Sequence, residues 1–471
     1  MTQPRRPFDR ARRARFSTIV ARLAVGLASV CVGIAVCAGG AVARNVSLDG
    51  LVPHTTAHVE TWSFDDSCNG GSGASAALVR RWLTFAETNC GSTTTKSRAN
   101  CRSGGKVYCL AIQYLDTNVG DSNSLLAFTS SASSSWWLHE PAPHGNVPIS
   151  TTSPGGNLID QANPAVRAFF RSYVRSHYNS DDGLLMDGQA PGLSEELYNS
   201  SCGCSRTREI TSNRALMAAH EAMAAAMTHR NGAPFLQIDN ALAPNPFLPQ
   251  GFNLLHSSTG VDGLMIEGEP ENDGTLDPYY STLLDQIASA AHRRGAFVVP
   301  LSYGAAGASY QQQSRRVQEA TILLGYSPGH LVDWPDLEQG SRDLAVFPEE
   351  GIYPTDPVQS MRAPRGRGCL AGRGDVCSRG GHNSLRVAHG VYRREFSACY
   401  DRNARIGSCA AIVNTTGSWV TVRSSWLSRT YRHQITFVGG DVQSGGSLNL
   451  AAPFAAGVTA IAPYDAVLLD S

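Results

Sequence analysis

The sequence predicts a parallel α/β barrel of the (β/α)8 type followed by a small antiparallel β-sandwich. Short apolar runs alternate with helix-like segments from about residue 58 to residue 340, which is the pattern of a parallel α/β fold. That span, roughly 280 residues, suits eight strand–helix units. Beyond residue 399 the runs are short, separated by turn residues and without a helical period, as in antiparallel β domains.

Eight candidate strands can be counted in order. They are 58–64, 107–114, 136–139, a run ending at Asp187, 234–239, a run ending at Glu267, 296–301 and 320–325. Helically spaced apolar residues predict helices over 164–174, 214–228 and 278–294, and Pro164 suits a first helical position.

The predicted organisation has four parts. Residues 1–43 combine an arginine-rich start, an apolar run and an Ala-Val-Ala site, as secretory signal peptides do. Residues 44–352 form the catalytic barrel, 353–398 a loop-rich connection and 399–471 the β-sandwich. Cleavage would leave a secreted or periplasmic chain with no membrane contact; the alternative is a membrane anchor over 17–43.

Cysteine content and charge narrow the possible functions. Ten of the twelve cysteines lie beyond the predicted signal, and an even number in an exported chain favours disulfides. Plausible local pairs are Cys68–Cys90, Cys101–Cys109, Cys369–Cys377 and Cys399–Cys409. Two well-spaced Cys/His pairs for zinc are not seen, so we expect no metal and no cofactor. Without its arginine-rich leader the chain is acidic, which disfavours a nucleic-acid partner.

Two apolar runs each end in one carboxylate beside a glycine. They are Gly183–Gly188, with Asp187, and Gly263–Gly268, with Glu267. The carboxyl ends of parallel barrel strands carry the active site, and two carboxylates facing one cleft can cut a glycosidic bond. Alternatively, each acid is a helix cap or turn former. The pair predicts Asp187 and Glu267 as catalytic residues.

Other acids and rings near predicted strand ends are expected to bind substrate, because aromatic rings stack on sugar faces and carboxylates bind hydroxyl groups. They are Glu60, Trp62, Trp137, His139, Asp239, Glu269, Tyr303 and Tyr326. The alternative for Trp137 is a core position, and for His139 an ordinary hydrogen-bonded polar residue. Motifs of nucleotide-binding loops, zinc proteases and α/β-hydrolase esterases are absent from the sequence.

Three stretches resemble barrel-type glycoside hydrolases with a C-terminal β-sandwich: residues 182–187, residues 261–267, and the tail from Arg394 to Leu469. Acids on strands four and six are similar to those of the α-galactosidase-like clan, and the resemblance implies Asp187 as nucleophile and Glu267 as acid/base. Leu185 stands where that clan has a lysine, and Glu267 where it commonly has Asp. The resemblance therefore concerns architecture, not a sugar specificity.

The sequence thus predicts a secreted glycoside hydrolase that cleaves an extracellular or cell-wall polysaccharide or oligosaccharide, with retention of configuration. Two alternatives stay open. One is a barrel that binds glycan without cutting it. The other is a polysaccharide lyase or deacetylase.

Overall fold

The computed structural model describes a defined part of the chain, and residues 43–471 form one compact unit. The described residues are 48, 60–66, 75–88, 98–116, 133–137, 139, 159–178, 181–187, 222–223, 229–230, 233–242, 261–272, 275–276, 280–291, 296–303, 308–336, 346–361 and 381–471. The predicted signal peptide, the pairs Cys68–Cys90 and Cys369–Cys377, and most of the helix predicted over 214–228 lie outside them.

The larger sheet of the described residues has nine strands: a short antiparallel edge strand, Thr275–Leu276, and eight parallel strands. They are β1 (Glu60–Asp66), β2 (Phe85–Thr88), β3 (Leu110–Asp116), β4 (Gly183–Asp187), β5 (Leu236–Leu242), β6 (Gly263–Asn272), β7 (Phe297–Tyr303) and β8 (Val332–Asp336). Each strand pairs in parallel with the next. The first and last strands also pair, at Glu60–Val332 and Thr61–Asp333.

Four helices are described between these strands. They are α1 (Ala76–Trp82), α2 (Pro164–His177), α3 (Tyr280–Ala291) and α4 (Ala308–Gly325). Helix α2 begins as predicted: Pro164 occupies its first turn, and the Asn163 side chain accepts a hydrogen bond from the Ala165 amide, which satisfies a free donor of the first turn. Helix α3 falls within the range predicted for it.

Three strand predictions were wrong. Residues 134–136 form a 3₁₀ turn, not a third strand. Residues 320–325 are the last turns of α4, and the eighth strand is 332–336. The second strand, 85–88, was not predicted. The predicted positions of Asp187 on strand four and Glu267 on strand six are nevertheless correct, because one missed strand offset one false strand.

Side chains from one face of the parallel sheet pack together, and we call this the inner face. Its cluster contains Phe85, Ile112, Leu185, Met265 and Val299, each at most 3% exposed. These residues come from five strands, and further members come from β5 and β8. Seven of the eight parallel strands thus reach one cluster, so the sheet must curl around it.

A seven-stranded antiparallel sheet follows. Its strands are β9 (Ile352–Pro357), β10 (Arg386–Ala388), β11 (Val391–Asp401), β12 (Ala404–Asn414), β14 (His433–Val438), β15 (Ser447–Pro453) and β17 (Asp465–Asp470), and a two-stranded ribbon pairs β13 (Val420–Thr421) with β16 (Ala460–Ile461). The connection predicted over 353–398 therefore contains strand residues of this sheet. Apolar residues of β11 pack on both faces of this sheet, although residues up to 398 were predicted to be loop.

Helix α4 lies between the two sheets. Its residues Val317, Leu323 and Leu324 share one buried cluster with Phe396 and Leu468 of the antiparallel sheet. The other face of that sheet packs on the ribbon, where Ile412 of β12 and Ile461 of β16 share one buried cluster. The C-terminal region is thus a sheet covered by a helix on one side and a ribbon on the other, rather than two equal sheets.

Arg394 of β11 joins this sheet to the end of α4. Its guanidinium group donates to the carbonyl oxygens of Leu324 (2.9 Å), Tyr326 (2.8 Å) and Gln359 (3.1 Å). A cation suits the free carbonyls and the negative dipole at a helix C-terminus. Burial lowers the pKa of Arg394 to about 10.

Two predicted disulfides lie in the described residues, and both are formed: Cys101–Cys109 and Cys399–Cys409. The first closes a short hairpin that leads into β3. Among the described residues, no helix has the length and apolar character needed to cross a membrane.

Candidate active site

Acidic residues gather at the carboxyl ends of the parallel strands. β1 ends at Asp66, β3 at Asp116, β4 at Asp187 and β8 at Asp336, and β6 carries Glu267 at its fifth position. Asp116 and Asp187 lie directly opposite each other in the pairing of β3 with β4. This edge of the sheet, which we call the rim, therefore brings together acids from distant parts of the chain.

Asp187 and Glu267 occupy inner-face positions. Asp187 follows Leu185 by two residues and Glu267 follows Met265 by two, and both apolar residues belong to the inner-face cluster. Because strand residues alternate between faces, each acid is the next inner-face position beyond the buried layer. Both predicted catalytic positions thus lie on one side of one sheet.

The strand register fixes the spacing of the two backbone positions. Met186 and Leu264 both pair with Asp239 of β5, the strand between them. Glu267 therefore lies two residues, or roughly 7 Å, further along its strand than Asp187, and two strand spacings add about 10 Å across the sheet.

A shared pattern, Asp-Gly-Leu-x-x-acid-Gly, explains why β4 and β6 deliver their acids alike. The first Asp of each pattern accepts a hydrogen bond from an amide near the start of the strand before it in the chain. Asp182 accepts from the Ala111 amide of β3 and Asp262 from the Gln237 amide of β5, each at 2.9 Å. These contacts lie at the opposite end of the sheet from the rim. The pattern therefore spans the whole strand, with one acid fixed at the start and the other placed at the end.

The first glycine of the pattern makes room for core side chains. A Cβ atom on Gly263 would lie 2.3 Å from the Phe297 ring, and one on Gly183 would lie 2.8 Å from Ile112. Phe297 in turn stacks on Phe85, with ring centroids 5.6 Å apart. These glycines thus serve the packing of the inner-face cluster, not access of a ligand.

Asp239 was predicted to bind substrate, and the structure places it on the outer face instead. Gln237, on the same side of β5, donates to Sδ of Met186 (2.6 Å) and to Oδ1 of Asp239 (3.0 Å). Met186 packs in the cluster of α2, outside the sheet. Burial raises the pKa of Asp239 to about 7; the hydrogen bond from Gln237 opposes this and the charge of Asp262 adds to it.

Tyr326 and Trp137 are also away from the rim. Tyr326 follows α4 and precedes β8, so it lies at the amino end of a strand, where its ring packs on the cluster under α4. Trp137 pairs with Ile159 in an isolated bridge and packs on the α2 cluster. Both errors follow from the two false strands at 136–139 and 320–325. His139, two residues beyond Trp137, is half-buried.

The remaining predicted residues are distributed along their strands. Glu60 is the first residue of β1, opposite Val332 at the start of β8, which places it at the far end from the rim. Trp62 pairs with Phe85. Tyr303 ends β7 at the rim, opposite Asp336, and Glu269 lies two residues beyond Glu267 in the extension of β6.

Two acids of this region were missed by the sequence analysis. Asp116 is the rim neighbour of Asp187 in the register. Glu87 is 1% exposed and shares the inner face with Phe85, opposite Phe64 and Ile112. The sequence pattern that predicted Asp187 is also present at Asp116, because Asp116 likewise ends a mostly apolar run.

A separate group of acids lies behind β8, on the outer face, and we call it the acid cluster. It comprises Glu319, Asp333, Glu349 and Glu350, with Arg315, all at most 3% exposed. Arg315 forms a paired contact with Glu349, with 2.6 Å between Nη2 and Oε2. Gln318 donates to Asp333 at 2.6 Å, and the Phe347 amide to Glu350 at 2.8 Å.

One cation cannot neutralise four buried carboxylates. Burial raises the pKa of Asp333 to about 7, with Gln318 opposing and the charge of Glu349 adding. Burial and the neighbouring acids raise the pKa of Glu319 and of Glu350 far above the ordinary range. Near neutral pH, the acid cluster therefore retains protons. In the described residues, no set of three or more His, Cys, Asp or Glu side chains is arranged to hold a metal ion.

The described residues thus form a curled parallel sheet with acidic positions at its rim. No family model and no curated protein matches the chain. The solved structures similar to it include several glycoside hydrolases. A trehalose-6-phosphate hydrolase from Bacillus licheniformis has 9% identity over 88% of this chain and 98% of that one, with a TM-score of 0.45.

Two further structures are similar. The α-galactosidase I of Mortierella vinacea shares 11% identity over 88% of this chain and 97% of its own, with a TM-score of 0.37. An α-amylase from Geobacillus thermoleovorans, complexed with acarbose, shares 9% over 86% and 95%, with a TM-score of 0.37. With TM-scores below 0.5, none of these similarities establishes a shared activity.

Proposed function

We propose that this chain is a glycoside hydrolase on a closed (β/α)8 barrel, with Asp187 as nucleophile and Glu267 as general acid/base. The supporting observation is the placement of both acids on the inner face, just beyond the buried layer, on strands separated by β5 alone. Glycosidic bond cleavage passes through an oxocarbenium-like transition state that needs one carboxylate and one proton donor.

The mechanism assigns different work to the two acids. Asp187 attacks the anomeric carbon while the protonated Glu267 donates its proton to the leaving oxygen; Glu267 then takes a proton from the water that releases the sugar. Retention needs a carboxyl separation of ~5 Å, and inversion ~6.5–9.5 Å. The offsets along and across the strands combine to a backbone separation of about 12 Å, and an Asp and a Glu side chain that converge over that distance can bring their carboxyl groups to the shorter separation.

The neighbouring rim residues would serve the same reaction. Asp116 lies opposite Asp187 in the strand register and is proposed to lie beside the nucleophile in the same cleft. Tyr303 and Glu269 are proposed to bind the sugar, the first by stacking and the second through its hydroxyl groups. The predicted leader and the two formed disulfides favour a polysaccharide outside the cell as substrate.

The test is a screen of polysaccharides and aryl glycosides for new reducing ends, with matched variants. Asp187→Ala and Glu267→Ala should each lose at least 1,000-fold in kcat while keeping the wild-type circular dichroism spectrum. Asp239→Asn is the control: it removes a strand carboxyl group on the outer face and should retain most activity. Azide should restore turnover to Asp187→Ala, giving a glycosyl azide of inverted configuration.

Other outcomes would replace this proposal. Release of unsaturated sugar ends would identify a lyase, and release of acetate without chain cleavage a deacetylase. Unchanged turnover in Asp187→Ala and Glu267→Ala would remove both from the mechanism. Binding without turnover on every substrate would leave a glycan-binding protein.

A further inference from the structure

Trp419 is the largest of the exposed hydrophobic side chains among the described residues of the antiparallel domain. It is 69% exposed, and it directly precedes Val420, which pairs with Ile461 in the ribbon. Tyr464, 43% exposed, lies three residues beyond Ile461. Two aromatic rings are therefore presented to solvent from one end of the ribbon.

The loop that carries Trp419 is held rigidly. The buried side-chain amide of Asn414 donates to the carbonyl oxygens of Ser418 and Ala462, both at 2.8 Å. Its oxygen accepts from the amide (3.0 Å) and hydroxyl (2.7 Å) of Thr416. Asn414 thus forms hydrogen bonds with the segment that precedes Trp419 and with the segment that precedes Tyr464. The backbone that carries Trp419 is therefore ordered.

Tyr464 is held in an unfavourable backbone conformation. Its φ is +55°, a left-handed value that residues other than glycine seldom adopt. Its amide donates to Thr416 (3.2 Å), and its carbonyl accepts from Gln313 of α4 (2.8 Å). Its hydroxyl lies 3.1 Å from the point where a Cβ atom of Gly417 would be. A strained tyrosine against a glycine points to a use for the ring itself.

We propose that Trp419 and Tyr464 form a second glycan-binding surface, outside the barrel, that stacks on the apolar face of a neutral sugar in a polysaccharide chain. The identity of the ligand rests on the proposed function. The surroundings suit a sugar, because Thr416, Gly417 and Ser418 offer small side chains, hydroxyl groups and backbone groups. The adjacent acid Asp465 is already bound by Arg316, at 2.7 and 3.0 Å, so the surface carries little free charge.

A protein partner is the less favoured occupant. Stable protein interfaces need about 800 Å² on each side with a contiguous apolar centre, whereas here two rings stand among small polar residues. An aromatic ring on a rigid support, by contrast, gives contact area at little cost in conformational entropy. Polymer bound at this surface would be held near the barrel without occupying its rim.

The test is affinity electrophoresis of the full chain in native gels that contain a neutral polymer: soluble starch, galactomannan or hydroxyethyl cellulose. We expect retardation by at least one of them, and Trp419→Ala to weaken the affinity for it about tenfold. Tyr464→Asn, which keeps a residue that tolerates left-handed backbone, should weaken it similarly. Val438→Ala, which changes another half-exposed apolar residue of the same domain, should bind as wild type.

The outcomes separate this proposal from the proposed function. Asp187→Ala should still be retarded, because the surface is independent of catalysis. Wild-type activity of Trp419→Ala on a short aryl glycoside, with a raised KM on the polymer, supports the surface and the hydrolase together. Three results would each overturn the proposed surface while leaving the catalytic assignment intact. The first is no retardation of wild type by any of the three polymers, and the second is equal retardation of wild type and Trp419→Ala. The third is binding of Trp419 to lipid vesicles instead of polymer.

Discussion

The acid cluster behind β8 predicts that this protein is more stable in mild acid than above neutral pH. The perturbation we consider is Asp333→Asn. Asn keeps the carbonyl oxygen that accepts from Gln318, and it cannot ionise. The groups that face Asp333 and its neighbours are Gln318, Glu319, Glu349, Glu350 and Arg315.

The size of the effect follows from the pKa of Asp333. Burial raises it from an ordinary 3.8 to about 7 in the folded state, a difference worth about 4 kcal/mol at 1.36 kcal/mol per pH unit. Because the folded pKa is the higher one, this stability is fully present below pH 3.8 and is lost as the pH rises through 7. About 2.5 kcal/mol of the loss falls between pH 5 and pH 8.

The assay is urea unfolding, followed by circular dichroism at pH 5 and pH 8. The free energy of unfolding of the wild type should fall by at least about 2.5 kcal/mol between these pH values, and the fall should be smaller by about that amount in Asp333→Asn. The control is Asp465→Asn, which removes a buried carboxylate of the same helix interface that is paired with Arg316. It should lower stability at both pH values.

The outcome that would refute this reasoning is a wild type and an Asp333→Asn variant whose stabilities change in parallel with pH. The acid cluster would then be ionised in the folded protein, and its acids would need a neutralising partner. An equal loss of pH dependence in Asp465→Asn would also contradict it, because the effect would then come from the helix interface in general.

Three further predictions concern packing, the joint between the sheets and the rim. Gly263→Ala should lower the free energy of unfolding by about 1–3 kcal/mol, since the new methyl group meets the Phe297 ring; Ser302→Ala, on the outer face, is the comparison in the same urea titration. Arg394→Met should cost about 3–5 kcal/mol, because buried carbonyl groups at the end of α4 lose their donor, measured as a fall in Tm. Asp116→Asn should lower kcat, because Asp116 lies opposite Asp187 in the strand register; an unchanged kcat would exclude a role beside Asp187.

The local sequence was sufficient to predict a helix or strand where the segment has one buried face or an obvious end. Helix α2 has a Pro164 start and a helical apolar period, and β4 and β6 are apolar runs closed by an acid and a glycine. In each case the residues that determine the structure are neighbours in sequence. The same local pattern placed Asp187 and Glu267 at strand ends, and the structure puts these positions on one face.

The local sequence failed where burial comes from a distant segment. Residues 320–325 are apolar on all sides because α4 is covered by the parallel sheet and by the antiparallel sheet, and a helix buried all round has no polar face to show its period. The true β8 contains Trp334, Pro335 and two acids, so it lacks an apolar run. A strand sequence shows which residues share a face but not which face points inward. Asp239 was therefore predicted at the rim, although it lies on the outer face.

The position of β17 in its sheet has a consequence for biosynthesis. β17 is a central strand, paired with β12 on one side and β14 on the other, yet it follows both in the chain. The ribosome must deliver residues 465–470 before β12 and β14 can be joined, and until then the outer side of α4 has no complete cover. Until then β12 and β14 each present an unpaired edge, so this sheet can be completed only after residues 465–470 have been made.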